Sequence, residues 1–234
     1  MRLDELFRNL GFIAGTVGAQ MREACEGVLL EELDLTGPPP REVGQSGPAQ
    51  VVLSEGEVFR IDVEAGPGDE HVRFALDERR LGIAGGGRDT VVRVTMPAPQ
   101  KLAIAGSGRM TAAKLGRDGE ISIAGSGRLE LAAVEGGTLR ISVAGSGRLA
   151  IDGTADTLEL SIAGSGSCDG EGLLVDSAAL HIAGSGDAIF GCNGAVEAHL
   201  MGSGNVIVRG SARCSVHSVG SGTVTCERER ESAD

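Results

Sequence analysis

The tripeptide Gly-Ser-Gly occurs seven times in this chain, beginning at Gly106, Gly125, Gly145, Gly164, Gly184, Gly202 and Gly220. The starts lie 18 to 20 residues apart, and a degenerate copy, Gly85-Gly86-Gly87, precedes the first by 21. A spacing this regular is the mark of a stacked repeat, in which each unit needs its neighbours to bury its apolar side. Apolar and polar residues alternate around every copy, as in Ile121-Ser122-Ile123-Ala124 and Leu129-Glu130-Leu131, the period of a half-buried strand. One repeat suits one coil of two or three short strands. The prediction is an all-β chain, a parallel β-helix or β-solenoid of seven to eight coils stacked in register about 4.8 Å apart.

The parity follows from the same alternation. Residues two and four before each triplet are apolar in the first five copies: Leu102 and Ile104, Ile121 and Ile123, Ile141 and Val143, Leu160 and Ile162, Leu180 and Ile182. Carried through the triplet, this parity turns both glycines inward and the serine outward. The glycine pairs Gly106 and Gly108, Gly125 and Gly127, Gly145 and Gly147, Gly164 and Gly166, Gly184 and Gly186, Gly202 and Gly204, and Gly220 and Gly222 thus become structural corners, where a side chain would hinder the bend. Outward columns test the register. Five before the triplet stand Lys101, Glu120, Arg140 and Glu159, an alternation of sign that favours adjacent strands.

Composition narrows the function. Glycine contributes 38 residues, while the aromatics are five Phe with no Trp or Tyr. Thin aliphatic layers suit such a chain, and base or sugar stacking platforms are scarce. The formal net charge of −12 repels phosphate backbones, so nucleic acid is not an expected partner. No apolar run reaches the length of a transmembrane helix. The five cysteines, Cys25, Cys168, Cys192, Cys214 and Cys226, show no C-x-x-C spacing, which argues against a zinc knuckle.

Four divisions are expected. Residues 1–36 read as a helical segment, with Leu3, Leu6, Phe7, Leu10, Ile13, Ala14 and Val17 on one face, or as a weak signal peptide ending near Val17-Gly18-Ala19. Residues 37–50, rich in Pro and Gly, read as a linker. Residues 51–226 form the solenoid domain, beginning with a β cap and a first irregular coil over Val51 to Ala98. Residues 227–234 form a charged tail.

Four sets of outward or inward residues are candidates for chemistry. His181, His199 and His217 fall three residues before successive triplets, below Ser122, Ser142 and Ser161. Imidazoles one strand apart can stack as a solvated ladder, or turn to share a divalent transition metal such as zinc, copper or nickel. No other cofactor is expected. Arg88, Arg109, Arg128 and Arg148 fall three residues after successive triplets. Stacked guanidinium groups repel unless anions separate them, so this column is a candidate ligand-binding array for an acidic polymer, or else pairs with neighbours such as Glu130. The serines of the seven triplets are equivalent, which fits corner hydrogen bonding rather than a catalytic nucleophile. Cys214 and Cys226 lie six residues either side of Gly220 with inward parity, and can form a disulfide in an oxidising compartment.

The repeat Ile-Ala-Gly-Ser-Gly-Arg-Leu and the closing run Gly210 to Cys226 resemble the GIN domain, the autotransporter adhesin head of bacterial secreted and envelope proteins. The resemblance covers Val51 to Cys226. It implies a right-handed β-helix-like fold, a periplasmic or cell-surface location and an adhesin-like role, with no catalytic residues to carry over. A cytoplasmic location is the alternative. A non-catalytic interaction module with an unknown protein or acidic polymer partner is the first expectation, with a homo-oligomer formed through the N-terminal segment as a further one. A self-assembling structural β-helix of the bactofilin type is the alternative. Coils of 18 to 20 residues leave no room for the long loops that build a lyase cleft.

Overall fold

A computed structural model describes residues 27–64, 66 and 72–227. These hold eighteen strands in one continuous sheet and a single 3-10 turn, Leu30–Glu32. The fold is an all-β solenoid of about seven turns. Its first side is built from β7 (Lys101–Gly106), β9 (Glu120–Gly125), β11 (Thr138–Gly145), the C-terminal parts of β13 (Gly153–Gly164), β14 (Ser167–Gly184) and β15 (Asp187–Gly202), and β17 (Arg213–Gly220). Its second side carries β8 (Arg109–Ala112), β10 (Arg128–Leu131), β12 (Arg148–Ile151), the N-terminal parts of β14 and β15, β16 (Asn205–Arg209) and β18 (Thr223–Glu227). A third, less regular side joins them through bridges such as Leu115 to Val134 and Glu135 to Thr154.

Every pairing between successive coils is parallel, and equal repeat positions lie over one another. Gly106 pairs with Gly125, Gly125 with Gly145, and so on to Gly202 with Gly220. Inside, Leu102, Ile104, Ile121, Ile123, Leu158, Leu160 and their neighbours are at most 1% exposed. Burying each such side chain contributes about 1.5–3 kcal/mol, and the single contiguous core runs the length of the rod.

The two glycines of a triplet do different jobs. The second faces inward as expected, and a Cβ on Gly127 would stand 2.5 Å from Ile104 Cγ2 of the previous coil. The first is not buried. It takes φ of +102° to +132° in all seven copies, the region open to glycine at little cost. Strict alternation fails there because the left-handed residue breaks the pleat and turns the chain. The corner hydrogen bond comes from the serine backbone: the amides of Ser126, Ser146 and Ser165 donate to the carbonyls of Gly106, Gly125 and Gly145 at 2.8–2.9 Å.

The N-terminal end departs from the sequence reading. Residues 42–46, read as part of a linker, form β1 (Glu42–Ser46), and β2 (Gln50–Glu55) follows directly. Gly47-Pro48-Ala49 takes the corner position, with Gly47 at φ +110°, so proline and alanine disguise one more coil. This coil sits out of chain order. β1 pairs in parallel with both β5 (Arg80–Gly85) and β7, and β2 with both β6 (Val91–Met96) and β8. Between them β3 (Arg60–Glu64) and β4 (Val72–Leu76) run antiparallel to β6 and β5. Gln45 fills the inward slot that Ile83 and Ile104 hold above and below. Its amide donates to the Ala49 carbonyl, while its Oε1 is buried with no partner among the described residues.

Because β1 is interposed, Glu42 stands between Arg80 and Lys101. The charge column therefore alternates through six rows: Arg80, Glu42, Lys101, Glu120, Arg140 and Glu159. Lys101 to Glu120 closes at 2.8 Å and Arg140 to Glu159 at 2.9 Å. Exposed pairs contribute only about 0.2–1 kcal/mol each, so their main effect is on register. Of the 1–36 segment, residues 27–36 carry the short turn and a bridge from Val28 to Phe74. The rest, with any helix or cleavage site, lies outside the described residues, as do residues 228–234 of the charged tail.

Candidate functional site

The rod presents its chemistry as columns rather than a cleft. On the first side, Ser161 pairs with His181, His181 with His199 and His199 with His217. The imidazole centroids are 5.1 Å apart in both steps, with interplanar angles of 10° and 15°. This is face-to-face stacking imposed by the strand spacing. A shared cation would need the ring nitrogens turned to one point, and no cluster of three or more His, Cys, Asp or Glu able to hold a metal occurs among the described residues. Glu197 approaches the middle ring, its Oε1 3.0 Å from His199 Nε2, and this contact holds the Glu197 carboxyl below its usual range.

His181 sits highest in the stack and is partly covered. Burial pushes its pKa below the ordinary 6.5, and the neighbouring His199 adds to this against the pull of Glu197. The unfolded chain takes up this proton near pH 6.5 and the folded chain only at lower pH, so stability is full above about pH 6.5 and falls as the pH drops through that value. The thermal midpoint should therefore decline between pH 7.5 and 5.5, and His181→Gln should flatten that decline. An unchanged slope in the variant would remove His181 as its source.

On the second side, Arg109, Arg128 and Arg148 pair in register on β8, β10 and β12. Arg88 is not among them. The corner after Gly85 is three residues longer, with Thr90 Oγ1 accepting from the Gly87 amide, and Gln50 on β2 takes the next place, opposite Arg109. Its Nε2 donates to the Arg88 carbonyl at 3.0 Å. Ser167 follows Arg148 on the other flank. Sequence offset alone missed this substitution, because Gln50 lies far away along the chain. Two residues on, the same face carries Thr111, Glu130, Ala150 and Asp169, which help line a shallow groove of about 490 Å³. None of the three arginines makes an ion pair with a described residue, whereas Arg60, Arg93, Arg117, Arg140 and Arg209 all do.

Cys214 and Cys226 are joined by a disulfide with a Cα–Cα separation of 6.8 Å, linking β17 to β18 across the last coil. Cys168 and Cys192 are buried free thiols, and burial pushes the Cys168 pKa up to about 12, so it acts as an apolar filler. The serine hydroxyls of the seven triplets make no hydrogen bond with a described residue.

The described residues thus define a solenoid with repeated surface columns, and comparison with known proteins places it in a family. The family described as "Putative auto-transporter adhesin, head GIN domain" matches residues 39–212. The chain belongs to this family. Its fold is similar to that of a protein from Bacteroides fragilis described as a "putative adhesin", at 16% identity and a TM-score of 0.75, covering 82% of this chain and 94% of that one. A "putative lipid binding protein" from Parabacteroides distasonis is similar at 19% identity and 0.63, with the same coverages. A further "putative adhesin", from Parabacteroides merdae, gives 17% and 0.58, again covering 82% and 94%. No curated protein matches.

Proposed function

We propose that this chain is a non-catalytic interaction module of the bacterial envelope or surface, adhesin-like in that it binds a partner through exposed columns on a rigid rod. The observation that carries the reading is the in-register stack, which turns single residues into linear arrays with fixed spacing. Membership of the adhesin-head family supports the location. No helix of the described residues is long and apolar enough to cross a membrane. The coils are read as right-handed, the hand that parallel crossovers take almost without exception. The antiparallel β3 and β4 serve as a cap, since they present no parallel edge for a further coil. That end is then closed to filament growth, which favours binding over bactofilin-type assembly. The test is saturable retention of the purified chain on immobilised bacterial envelope material, with light scattering across a concentration series. Saturable binding with a constant small mass is expected. Absence of retention would sink the binding role, and mass growing steadily with concentration would favour the filament.

A further inference from the structure

We infer that Arg109, Arg128 and Arg148, with the groove beside them, form a binding site for a linear acidic polysaccharide bearing one carboxylate per sugar, laid along the rod axis. The inference rests on the interaction-module reading and names the ligand class.

Three observations meet at this place. The chain has an excess of acidic side chains, 33 Asp and Glu against 21 Lys and Arg. Yet these three adjacent guanidinium groups have no carboxylate partner among the described residues, although Glu130 stands two positions from Arg128 on the same face. Their register is fixed by parallel pairing, so the charges repeat at about 4.8 Å along a straight line. Like charges so placed repel one another. An array of anions of matching repeat relieves that repulsion and can accept paired N–H bonds from each planar fork.

The flanks then choose among polyanions. Gln50 and Ser167 end the arginine row with neutral hydrogen-bonding side chains. The parallel row two residues on supplies Thr111, Glu130 and Asp169, and with Asp152 and Glu171 these line a shallow groove whose floor includes Ala150. Carboxylates there accept hydrogen bonds from sugar hydroxyls. They also repel a polymer with a charge on every short repeat, such as polyphosphate. A hydroxyl-rich chain with one carboxylate per sugar satisfies both rows: carboxylates on the arginines, hydroxyls on the acids. The scarcity of aromatic rings, with no Trp or Tyr, means recognition here is polar rather than by stacking.

The experiment is calorimetric titration of the full chain at low salt with polygalacturonate, polyphosphate and neutral dextran. Polygalacturonate should bind, and its affinity should fall by about tenfold or more in R109Q/R128Q/R148Q. Glutamine is chosen because Gln50 already occupies this column. Arg60→Gln/Arg93→Gln/Arg213→Gln, which makes the same change of net charge elsewhere, should bind like the parent. An unaltered thermal midpoint in the first triple variant confirms that the fold is intact; should it fall, the single variant R128Q is used and should still bind several-fold more weakly. No binding to polygalacturonate, equal loss in the control variant, or tighter binding to polyphosphate would each overturn the assignment. Retention on envelope material without polygalacturonate binding would overturn this site alone and leave the module reading standing.

Discussion

Gly145→Ala is expected to destabilise the chain by about 3 kcal/mol, while Ser146→Ala beside it changes stability by less than about 0.5 kcal/mol. Two costs combine at Gly145. Its φ is +110°, where a side chain is strained. A Cβ would also stand 2.6 Å from the Gly125 carbonyl oxygen of the coil before, and that oxygen cannot withdraw because it accepts the Ser146 amide at 2.8 Å. The obstacle is backbone on both sides, so no rotamer change relieves it. Ser146 points outward and contributes its amide, which alanine retains. Thermal or urea unfolding of the two variants measures the contrast. Similar midpoints for both would mean that the corners are not stacked backbone to backbone.

The second large effect is expected at the C-terminal end of the rod. Cleaving the Cys214–Cys226 disulfide, by reductant or as Cys226→Ser, should loosen β17 and β18 without unfolding the middle coils. A closed loop of this size, with the cysteines 12 residues apart, corresponds to about 3 kcal/mol of chain entropy. Among the described residues the last coil is covered on one side only, and Val216 and Val219 are 41% and 72% exposed. Amide exchange in β17 and β18 should accelerate by roughly a hundredfold, with β11 and β13 unaffected. Equal protection in the reduced chain would show that stacking alone secures the coil. Such a bond persists in an oxidising compartment.

The regular coils were legible because period-two alternation and a near-constant repeat leave only one register in which every apolar column is continuous. The histidine and arginine rows followed from that register. What stayed hidden lay where neighbours in space are distant in sequence. β1 carries Pro48 and Ala49 in place of the corner Ser and Gly, so local composition read as a linker. Its pairing with β5 and β7 could not be inferred from offsets, and neither could the place of Gln50 above Arg109. Arg88 was misplaced for a related reason: the longer corner after Gly85 shifts everything behind it. The first glycine of each triplet was assigned inward because parity carries no information about φ.

The interposed first coil also orders events in time. Elsewhere each strand joins a partner one repeat behind it, a short closure that can proceed row by row as the chain emerges. β1 must instead wait until β3 and β4 have doubled back and β5 and β7 both exist, a longer closure with a larger entropic barrier. Until β1 joins, the edges of β5 and β7 that it pairs with lack those backbone partners. That interval is when the nascent rod is most open to pairing with another chain.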